Sequence, residues 1–225
     1  MALPREYAAE SCPIARSLEI VGERWTLLIL RELIGGARRY GDMRAALPGI
    51  ATNLLADRLR ELEEADLICR SELPPPVART VYTLSEEGWR KVPPVIQAVA
   101  TFGLDLLEPT DSVLTPLNGF LAGILLGFDP ARAPDVSTSY SVEIDGRRFG
   151  FAATRHGLAG AEDPPAVTVT ATAADLITAR LGGTAAERKA ALRRWKFEGN
   201  AAAIEAMRAA FQLTADPGLG LVNRT

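Results

Sequence analysis

Few side chains of this chain could carry acid–base, nucleophilic or metal chemistry. His156 is the only histidine, so a histidine-based metal cluster or catalytic triad has little to build from. Its place beside Gly157 predicts a turn. The carboxylate pairs Glu86-Glu87 and Glu162-Asp163 fall at a helix start and in a loop, where solvation accounts for them better than general acid–base work. The sequence therefore predicts no catalytic residue, no metal site and no enzyme.

The glycine pairs and the cysteines add little chemistry. Gly35-Gly36 and Gly182-Gly183 lack the spacing and the lysine of a phosphate-binding loop, so no cofactor is expected. The two cysteines, Cys12 and Cys69, lie far apart in sequence, which favours a reducing compartment over a disulfide framework. Cys12 precedes Pro13 at a predicted helix start, where the helix dipole would favour a thiolate. The alternative is an inert, buried thiol.

The composition is that of an ordinary globular protein with room for one large or two modest domains. The chain has 225 residues, of which 48% are hydrophobic and 24% charged. No apolar run is long enough to cross a bilayer, and the first residues lack the apolar core of a signal peptide. We therefore expect a cytoplasmic protein with no membrane partner.

The charge balance opposes a non-specific nucleic-acid binder. The net charge of the chain is −3. Residues 1–108 carry all of this excess negative charge, whereas residues 109–225 carry equal numbers of cationic and acidic side chains. A DNA-binding protein with this balance must concentrate its positive charge locally, which predicts a marked dependence on salt. The arginines available for such a cluster are Arg38, Arg39, Arg44, Arg58, Arg60, Arg70 and Arg79.

Residues 53–67 have the pattern of an amphipathic helix with a polar outer face. The apolar stripe consists of Leu55, Leu59 and Leu62. The opposite face carries Asn53, Asp57 and Arg60. Such a face suits a recognition helix, which must fit a major groove and reach base edges. An ordinary core helix of a small helical domain is the alternative interpretation.

The residues on either side of this helix complete a winged helix-turn-helix. Before it, Pro48 ends the preceding helix and Gly49 permits a tight turn. After it, residues 67–73 and Thr80–Leu84 are typical of two short strands, and Pro74-Pro75-Pro76 stiffens the loop between them. Two strands with a restricted tip are what a wing requires. The arginines placed to contact phosphates or a minor groove are Arg70 and Arg79.

The same part of the chain carries a series of short motifs, in order and without a large gap. They are Cys12-Pro13, Gly22, Arg24-Trp25, Arg39-Tyr40, Leu47-Pro48-Gly49-Ile50, Arg58-Leu59, Leu62-Glu63, Leu67-Ile68 and Tyr82-x-Leu84-Ser85-x-x-Gly88. On these residues the chain resembles the HxlR family of bacterial transcriptional regulators. The resemblance implies a DNA-binding winged helix-turn-helix. It also implies a candidate redox role for Cys12, because some members sense oxidants or electrophiles through the cysteine at this position.

The predicted DNA-binding residues lie on the helix-turn-helix and on the wing. They are Arg39, Arg44, Thr52, Asn53, Asp57, Arg58, Arg60 and Arg79. One position departs from the family, since Ala51 stands where members usually have a serine or threonine that caps the recognition helix. We expect Thr52 or Asn53 to take over this cap.

A long amphipathic helix is predicted after the wing, over residues 86–107, and Pro93-Pro94 should kink or split it. A small winged domain cannot cover all the apolar surface of this helix. The resemblance implies that it packs, with the N-terminal helix, against a second copy of the chain. A two-fold dimer would read a near-palindromic operator in double-stranded DNA, with half-sites about 34 Å apart. Packing on the second domain is the alternative.

The sequence pattern changes after a short predicted linker at residues 108–111. An apolar helix is predicted over residues 114–128, followed by a hairpin centred on Asp145-Gly146 and a strand over residues 166–172. The remaining predicted elements are helices over residues 175–181 and 184–195, a short strand or turn at Lys196–Gly199, and a last helix over residues 201–213.

Three further motifs accompany this order of elements. They are Val142-x-Ile144-Asp145-Gly146, Asp175-Leu176 followed by Leu181-Gly182-Gly183, and Phe197-Glu198-Gly199-Asn200. With them the C-terminal half resembles the sterol-carrier-protein fold, an α+β domain with an apolar tunnel between sheet and helices. The resemblance implies an apolar small-molecule ligand, with predicted contacts at Phe120, Leu121, Ile124, Leu125, Ile204, Met207 and Phe211. Alternatively, these residues simply fill the core.

The sequence thus predicts an α+β protein of two domains. Residues 1–108 form a winged helix-turn-helix for DNA binding and dimerisation, and residues 109–225 form a sterol-carrier-like α+β domain. The expected function is that of a dimeric, sequence-specific transcriptional regulator, by default a repressor, which an apolar small-molecule effector modulates through the second domain. The alternative is a small-molecule carrier or sequestering protein that uses the winged domain for dimerisation.

Overall fold

The computed structural model describes residues 12–73, 79–104, 106, 114–162 and 164–219. The chain divides into two compact units, Met1–Val92 and Pro93–Thr225. The predicted wing tip at residues 74–77, the predicted linker at residues 108–111 and Asp163 lie outside the described residues. The predicted domain boundary between residues 108 and 109 stays a prediction.

The first unit is a winged helix-turn-helix, as predicted. Its helices are α1 (Pro13–Val21), α2 (Thr26–Ile34), α3 (Tyr40–Ala46) and α4 (Thr52–Glu64). Two antiparallel strands follow, β1 (Ile68–Glu72) and β2 (Thr80–Leu84). Arg38 extends this ribbon, because its backbone N–H donates to Tyr82 at 2.9 Å and its carbonyl accepts from Tyr82 at 2.8 Å. The wing is thereby fixed to the segment that enters α3.

The core of the first unit contains the apolar stripes of its helices. The predicted stripe of α4 is buried, as is one apolar face of α2; these core residues include Ile29, Leu30, Leu33, Leu55, Leu59 and Leu62. One carboxylate, Glu32, lies among them and is 2% exposed. It accepts from Arg31 at 2.8 Å and from Arg38 at 2.7 Å, so a buried charge is paired and the bridging Arg38 is tied to α2.

Helix α4 ends earlier than its predicted end at residue 67. Asp66 adopts a φ of 55°, and the Leu67 N–H donates to the Leu62 carbonyl at 3.0 Å. A left-handed residue followed by this backward hydrogen bond is a common way to close a helix. The closure turns the chain directly into β1.

Helix α5 (Glu86–Leu104) follows the wing and continues through Pro93 and Pro94. Of the two expected effects of these prolines, a kink or a split, the split is therefore wrong. Proline fits helical φ and here removes N–H donors without ending the helix. Within the second unit, the Gln97 amide of α5 donates to the carbonyls of Leu126 and Phe128 at 3.4 and 2.9 Å. These bonds join the C-terminal part of α5 to the segment that follows α6, within the second unit.

The second unit is an α+β fold around a five-stranded mixed sheet. Its strands are β3 (Thr138–Ile144), β4 (Arg147–Thr154), β5 (Gly157–Gly160), β6 (Val167–Ala171) and β7 (Lys196–Gly199), in the spatial order β5-β4-β3-β6-β7. Strand β3 pairs antiparallel with β4 and parallel with β6, and the outer pairings are antiparallel. The helices are α6 (Pro116–Gly123), α7 (Ala173–Leu181), α8 (Ala185–Leu192) and α9 (Ala201–Ala210).

The predicted hairpin is formed by β3 and β4. Asp145 and Gly146 have φ values of 48° and 81°, and a two-residue hairpin turn with both residues left-handed matches the twist of the flanking strands. The Asp145 carboxylate also accepts from the Ala173 N–H at 3.0 Å, which joins this turn to the start of α7. His156 lies in the turn between β4 and β5, as predicted.

Several predicted elements of the second unit differ from the structure. The helix predicted over residues 114–128 is shorter, because Thr115 caps α6 and the helix gives way to a 3₁₀ turn at Leu125–Gly127. Helices α8 and α9 end at Leu192 and Ala210, earlier than predicted. Strand β5 was not predicted, since its Gly-Leu-Ala-Gly sequence has little intrinsic strand preference.

The core of the second unit is rich in aromatic rings and encloses one guanidinium. The Phe120 ring stacks on Phe149 at 4.7 Å between centroids, and Phe151 lies 5.5 Å from Phe211. Arg180 is 1% exposed. It donates to four backbone carbonyls, those of Gly123, Phe211, Gln212 and Pro217. Burial lowers the pKa of Arg180 to about 10, so the group remains charged at neutral pH.

Candidate nucleic-acid interface

The tight turn between α3 and α4 positions the recognition helix. Gly49 takes a φ of 92°, which favours glycine, and the Ile50 N–H donates to the Leu47 carbonyl at 3.2 Å. The Tyr40 hydroxyl donates to the Thr52 carbonyl at 2.7 Å. This bond joins the first turn of α3 to the first turn of α4, so the two helices of the motif hold each other in place.

The recognition helix begins without a capping side chain. Ala51 occupies the cap position, and Thr52 and Asn53 already lie inside the helix, so the expected cap at either residue is wrong. The register of the outer face is therefore that of a helix starting at Thr52. The N–H groups of the first helical turn are left without a side-chain acceptor, and such groups are favourable partners for phosphate oxygens.

The outer face of α4 carries the polar side chains that the sequence placed there. Thr52, Asn53 and Arg60 are exposed, and Asp57 is half-buried beside them. The Arg60 guanidinium lies 2.9 Å from Asp57 and 3.9 Å from Glu64, and its side chain is 64% exposed. Ion pairs this exposed are weak, so Arg60 can exchange them for a base or a phosphate.

Arg58 lies apart from this face. Its side chain is 18% exposed and forms ion pairs with Glu61 on the same helix and with Glu23, 3.6 Å away in the connection between α1 and α2. The structure therefore groups Arg58 with the contacts that hold α4 against the first two helices. The sequence offered no sign of this, because Glu23 lies far from Arg58 along the chain.

The remaining predicted arginines surround α4 on α3 and on the wing. Arg44 is exposed in the last turn of α3, and Arg39 is half-buried at its start. Arg79 is exposed at the base of the wing, where its carbonyl accepts from the Leu73 N–H at 2.9 Å. Arg70 is exposed on β1. These four side chains form no ion pair with any described residue, so their charge is available to a polyanion.

Two contributors to the interface were missed in the sequence. In the sequence Tyr40 is only part of the Arg39-Tyr40 motif, whereas in the structure its hydroxyl anchors α4. The buried Glu32 was not noted, although through Arg38 it holds the wing strand β2 in place. The tyrosine beside Arg39 was an available signal for the first, whereas an acidic residue inside an apolar helix was the signal for the second.

The residues predicted to contact an apolar ligand lie in the second unit. Five are buried, with exposures of at most 1%: Phe120, Ile124, Leu125, Met207 and Phe211. Leu121 and Ile204 are half-buried. None of the seven lines either of the two concavities described in this unit. Their role in ligand binding stays a prediction.

The two cysteines, which are the candidates for redox chemistry, lie on separate elements of the first unit. Cys12 is half-buried at the cap position of α1, where the helix start was predicted, and Cys69 is exposed on β1 with its Sγ 3.0 Å from the Thr83 hydroxyl. In the part of the chain that the structure describes, no three side chains of His, Cys, Asp or Glu come together as a metal site. Nor is any helix there long and apolar enough to cross a membrane.

A helix-turn-helix with an exposed polar recognition helix and a two-stranded wing defines the first unit as a winged helix-turn-helix DNA-binding fold. Residues 20–111 match the HxlR-like helix-turn-helix family. The chain is 38% identical over 108 residues to sll1512, an uncharacterised HTH-type transcriptional regulator of Synechocystis sp., and this match covers 48% of the chain and 79% of the relative. The chain belongs to the HxlR-like helix-turn-helix family.

A second relative is the HTH-type transcriptional regulator YodB of Bacillus subtilis. It is 33% identical over 103 residues, covering 45% of this chain and 91% of YodB. The solved structure of reduced YodB covers 45% of this chain and all of its own, with 32% identity and a TM-score of 0.39. Both relatives are transcriptional regulators, which supports a DNA-binding regulator. The matches concern the N-terminal half, and the sterol-carrier resemblance of the C-terminal half stays a prediction.

Proposed function

We propose that this chain is a sequence-specific transcriptional regulator whose helix α4 reads base edges in a major groove. The observation that carries the proposal is the outer face of α4. Thr52, Asn53 and Arg60 are exposed opposite a buried leucine stripe, on a helix that Tyr40 anchors to α3. A rigid helix with short polar groups at its N-terminal end suits the major groove.

The side chains of the proposed interface divide by chemistry into base readers on α4 and phosphate contacts on α3 and the wing. The Asn53 amide can both donate and accept, which matches the edge of an adenine, and the Asp57 carboxylate can accept from a cytosine amino group. Arg60 can reach a guanine or a phosphate. The phosphate contacts are assigned to Arg39, Arg44 and Arg79, which form no ion pair with any described residue. Arg58 is assigned a positioning role, because its ion pair with Glu23 joins α4 to the connection between α1 and α2.

A homodimer is the second part of the proposal. Large apolar side chains are exposed on α1, where Ile14 and Leu18 are 69% and 43% exposed. On α5, Val95, Val99 and Phe102 recur at helical spacing and are 38%, 47% and 78% exposed. Such surface is costly in water and is removed from it when two copies pair. A two-fold dimer would present two α4 helices to successive turns of a near-palindromic operator.

The second unit is proposed to bind an apolar small-molecule effector. Its α+β architecture and its aromatic core are in keeping with the sterol-carrier resemblance. An effector changes operator affinity only if it binds the DNA-competent and the DNA-incompetent states differently, and a tenfold change requires about 1.4 kcal/mol of coupling. Repression is the simpler outcome, since a dimer bound at an operator can block transcription.

A small-molecule carrier is the second candidate. The observation that favours it is the acidic balance of the chain, with a net charge of −3, which weakens attraction to DNA outside the local arginine cluster. In that case the winged unit would serve only to pair two copies, and the polar outer face of α4 would have no purpose.

Capture of genomic DNA separates the two candidates. Purified protein is mixed with sheared genomic DNA of the source organism at roughly physiological salt, and the retained fragments are sequenced. We expect a few enriched sites that share an inverted repeat, and we expect the double variant Asn53→Ala, Arg60→Gln to lose them. Absence of a shared sequence for the unaltered protein, both with and without a small-molecule extract of the cells, would favour the carrier.

A further inference from the structure

A groove in the second unit lies between the end of α8, strand β7 and helix α9. It encloses about 590 Å³, a volume in the range of small-molecule sites. We call it the α8–α9 groove, and the residues that matter for its chemistry are Leu192, Arg193, Trp195, Phe197, Arg208 and Leu213. None of the residues predicted to contact an apolar effector belongs to this set.

Four side chains give the α8–α9 groove an apolar lining. The rings of Trp195 and Phe197 lie nearly parallel, 24° apart, with their centroids 6.3 Å from each other. Leu192 and Leu213 are the aliphatic members of this lining. Two near-parallel rings flanked by aliphatic side chains favour a flat or slender hydrocarbon body.

The cations of the groove outnumber its carboxylates. Arg193 is exposed and forms no ion pair with any described residue. The Arg208 guanidinium lies 4.8 Å from the centre of the Phe197 ring and 3.1 Å from the Glu205 carboxylate, which also lines the groove. Two guanidinium groups and one carboxylate leave one positive charge without a local partner, which favours an anion.

The Trp195 ring that lines the groove also carries a buried donor without an acceptor. Trp195 is 5% exposed, and its indole N–H has no hydrogen-bond partner among the described residues. A buried N–H in this condition is unfavourable, and buried donors are nearly always paired in folded proteins. Because Trp195 lines the groove, the signal of this N–H reports on changes at the groove wall.

We propose that the α8–α9 groove binds a small organic anion with a flat apolar body and a carboxylate group. The apolar body lies against Trp195 and Phe197, and the carboxylate faces Arg193 and Arg208. This site is separate from the apolar effector site of the proposed function and requires neither DNA binding nor dimerisation. Binding here can therefore be tested on its own.

Nuclear magnetic resonance of the full chain tests the proposal through the tryptophan indole N–H signals. The chain has three tryptophans, so the indole region of a ¹⁵N spectrum is simple, and the variant Trp195→Phe assigns the signal of interest. The probe is 2-naphthoate, and its neutral counterpart is 2-naphthylmethanol. We expect 2-naphthoate to shift the Trp195 signal in a saturable manner while the Trp25 and Trp89 signals stay in place.

Charge dependence is the second half of the test. We expect the variants Arg193→Gln and Arg208→Gln each to weaken 2-naphthoate binding about tenfold, and the neutral alcohol to bind at least about tenfold more weakly than the anion. The control variant Arg194→Gln removes a neighbouring arginine that pairs with Asp175 and does not line the groove. Its affinity should match that of the unaltered protein.

Three results would overturn the proposal. The first is a Trp195 signal that does not move at millimolar 2-naphthoate. The second is equal binding of the anion and the alcohol. The third is an affinity that neither Arg193→Gln nor Arg208→Gln changes relative to Arg194→Gln. Because no DNA is present, each result leaves the DNA-binding proposal to be judged separately.

Discussion

At the scale of single residues, two classes of arginine can be distinguished in the first unit. The first class faces solvent without an ion-pair partner, and the second forms ion pairs that hold elements of the fold together. Arg44 and Arg79 belong to the first class. Arg38 and Arg58 belong to the second, because each pairs with a carboxylate and is less than one-fifth exposed. Only the first class can neutralise phosphates without breaking an internal contact.

Replacement of Arg79 by glutamine tests whether an arginine of the first class contacts DNA phosphates. Removal of one phosphate contact should weaken DNA binding by a similar factor for every sequence, and should reduce the slope of log affinity against log salt by about one. Fluorescence anisotropy at several salt concentrations measures both quantities. Arg155→Gln, which removes an exposed arginine of the second unit paired with Asp135, is the control. An unchanged salt slope for Arg79→Gln would exclude Arg79 from the interface.

Replacement of Arg58 and Glu23 tests whether an arginine of the second class holds α4 in place. We expect the single variants Arg58→Gln and Glu23→Gln to lower the free energy of unfolding, and the double variant to show a coupling of about 0.5–1 kcal/mol, since the pair is partly screened by water. Urea unfolding of the four proteins gives this coupling. Purely additive losses would show that the pair does not hold α4 in place, and Arg58 would return to the candidates for DNA contact.

At the scale of elements, the sequence predicted the helices, strands and turns whose formation depends on residues close together in the chain. The hairpin turn at Asp145-Gly146, the leucine stripe of α4 and the wing strand β2 follow from glycine, periodicity and β-branched residues close together in the chain. The cap of α4 was mispredicted because the actual cap is Ala51, which offers no side-chain signal. Strand β5 escaped prediction because its pairing with β4, and not its composition, makes it a strand.

The contacts that position the candidate site could not be predicted from sequence. The Tyr40–Thr52 hydrogen bond and the Arg58–Glu23 ion pair join residues from different elements. Their existence depends on how the helices pack, which single-sequence patterns do not encode. The exposed face of α4 was nevertheless predictable, because burial of one helical stripe determines which side chains remain outside.

An ion pair after α9 gives the second unit a stability that depends on pH. The Arg188 guanidinium binds both oxygens of Asp216, at 2.7 and 2.8 Å, and so joins α8 to the segment that follows α9. These hydrogen bonds hold the pKa of Asp216 at about 2, below its ordinary value of 3.8. A carboxylate with a lowered folded-state pKa stabilises the fold above the ordinary value and loses this effect as pH falls toward 2.

We therefore expect Asp216→Asn to lower the melting temperature at pH 6, and we expect the difference from the unaltered protein to shrink as pH falls from about 4 toward 2. Circular dichroism melts across this range measure the difference. Asp135→Asn, at an exposed carboxylate of the same unit, is the control and should change the melting temperature less. A difference that stays constant with pH would mean that the Asp216 charge does not contribute to stability.

At the scale of the whole molecule, the proposed reading of an inverted repeat requires two copies of the chain. The exposed apolar faces of α1 and α5 are the surfaces proposed to pair. Introduction of aspartate at Val99 and Phe102 places charges in the proposed contact and should give a monomer. Sedimentation velocity measures the change in mass. The matched control is Val136→Asp, at a valine of the second unit that is 77% exposed, and this variant should remain a dimer.

Loss of the dimer should also weaken operator binding, because each copy would then contact a single half-site. If the Val99→Asp, Phe102→Asp protein keeps the mass of the unaltered protein, the α5 face is not the pairing surface. If the unaltered protein is itself a monomer, the requirement for two copies fails, and an inverted repeat would no longer be expected in the operator.

The central claim is that the outer face of α4 reads DNA sequence. Selection from randomised DNA duplexes, with the unaltered protein and with Asn53→Ala in parallel, tests it most directly. We expect an inverted repeat for the unaltered protein. For Asn53→Ala we expect the same repeat with relaxed preference at one symmetric pair of positions, each position losing about 1–3 kcal/mol of discrimination. Contradiction would come from the unaltered protein selecting no common sequence, or from Asn53→Ala selecting an identical one with undiminished preference.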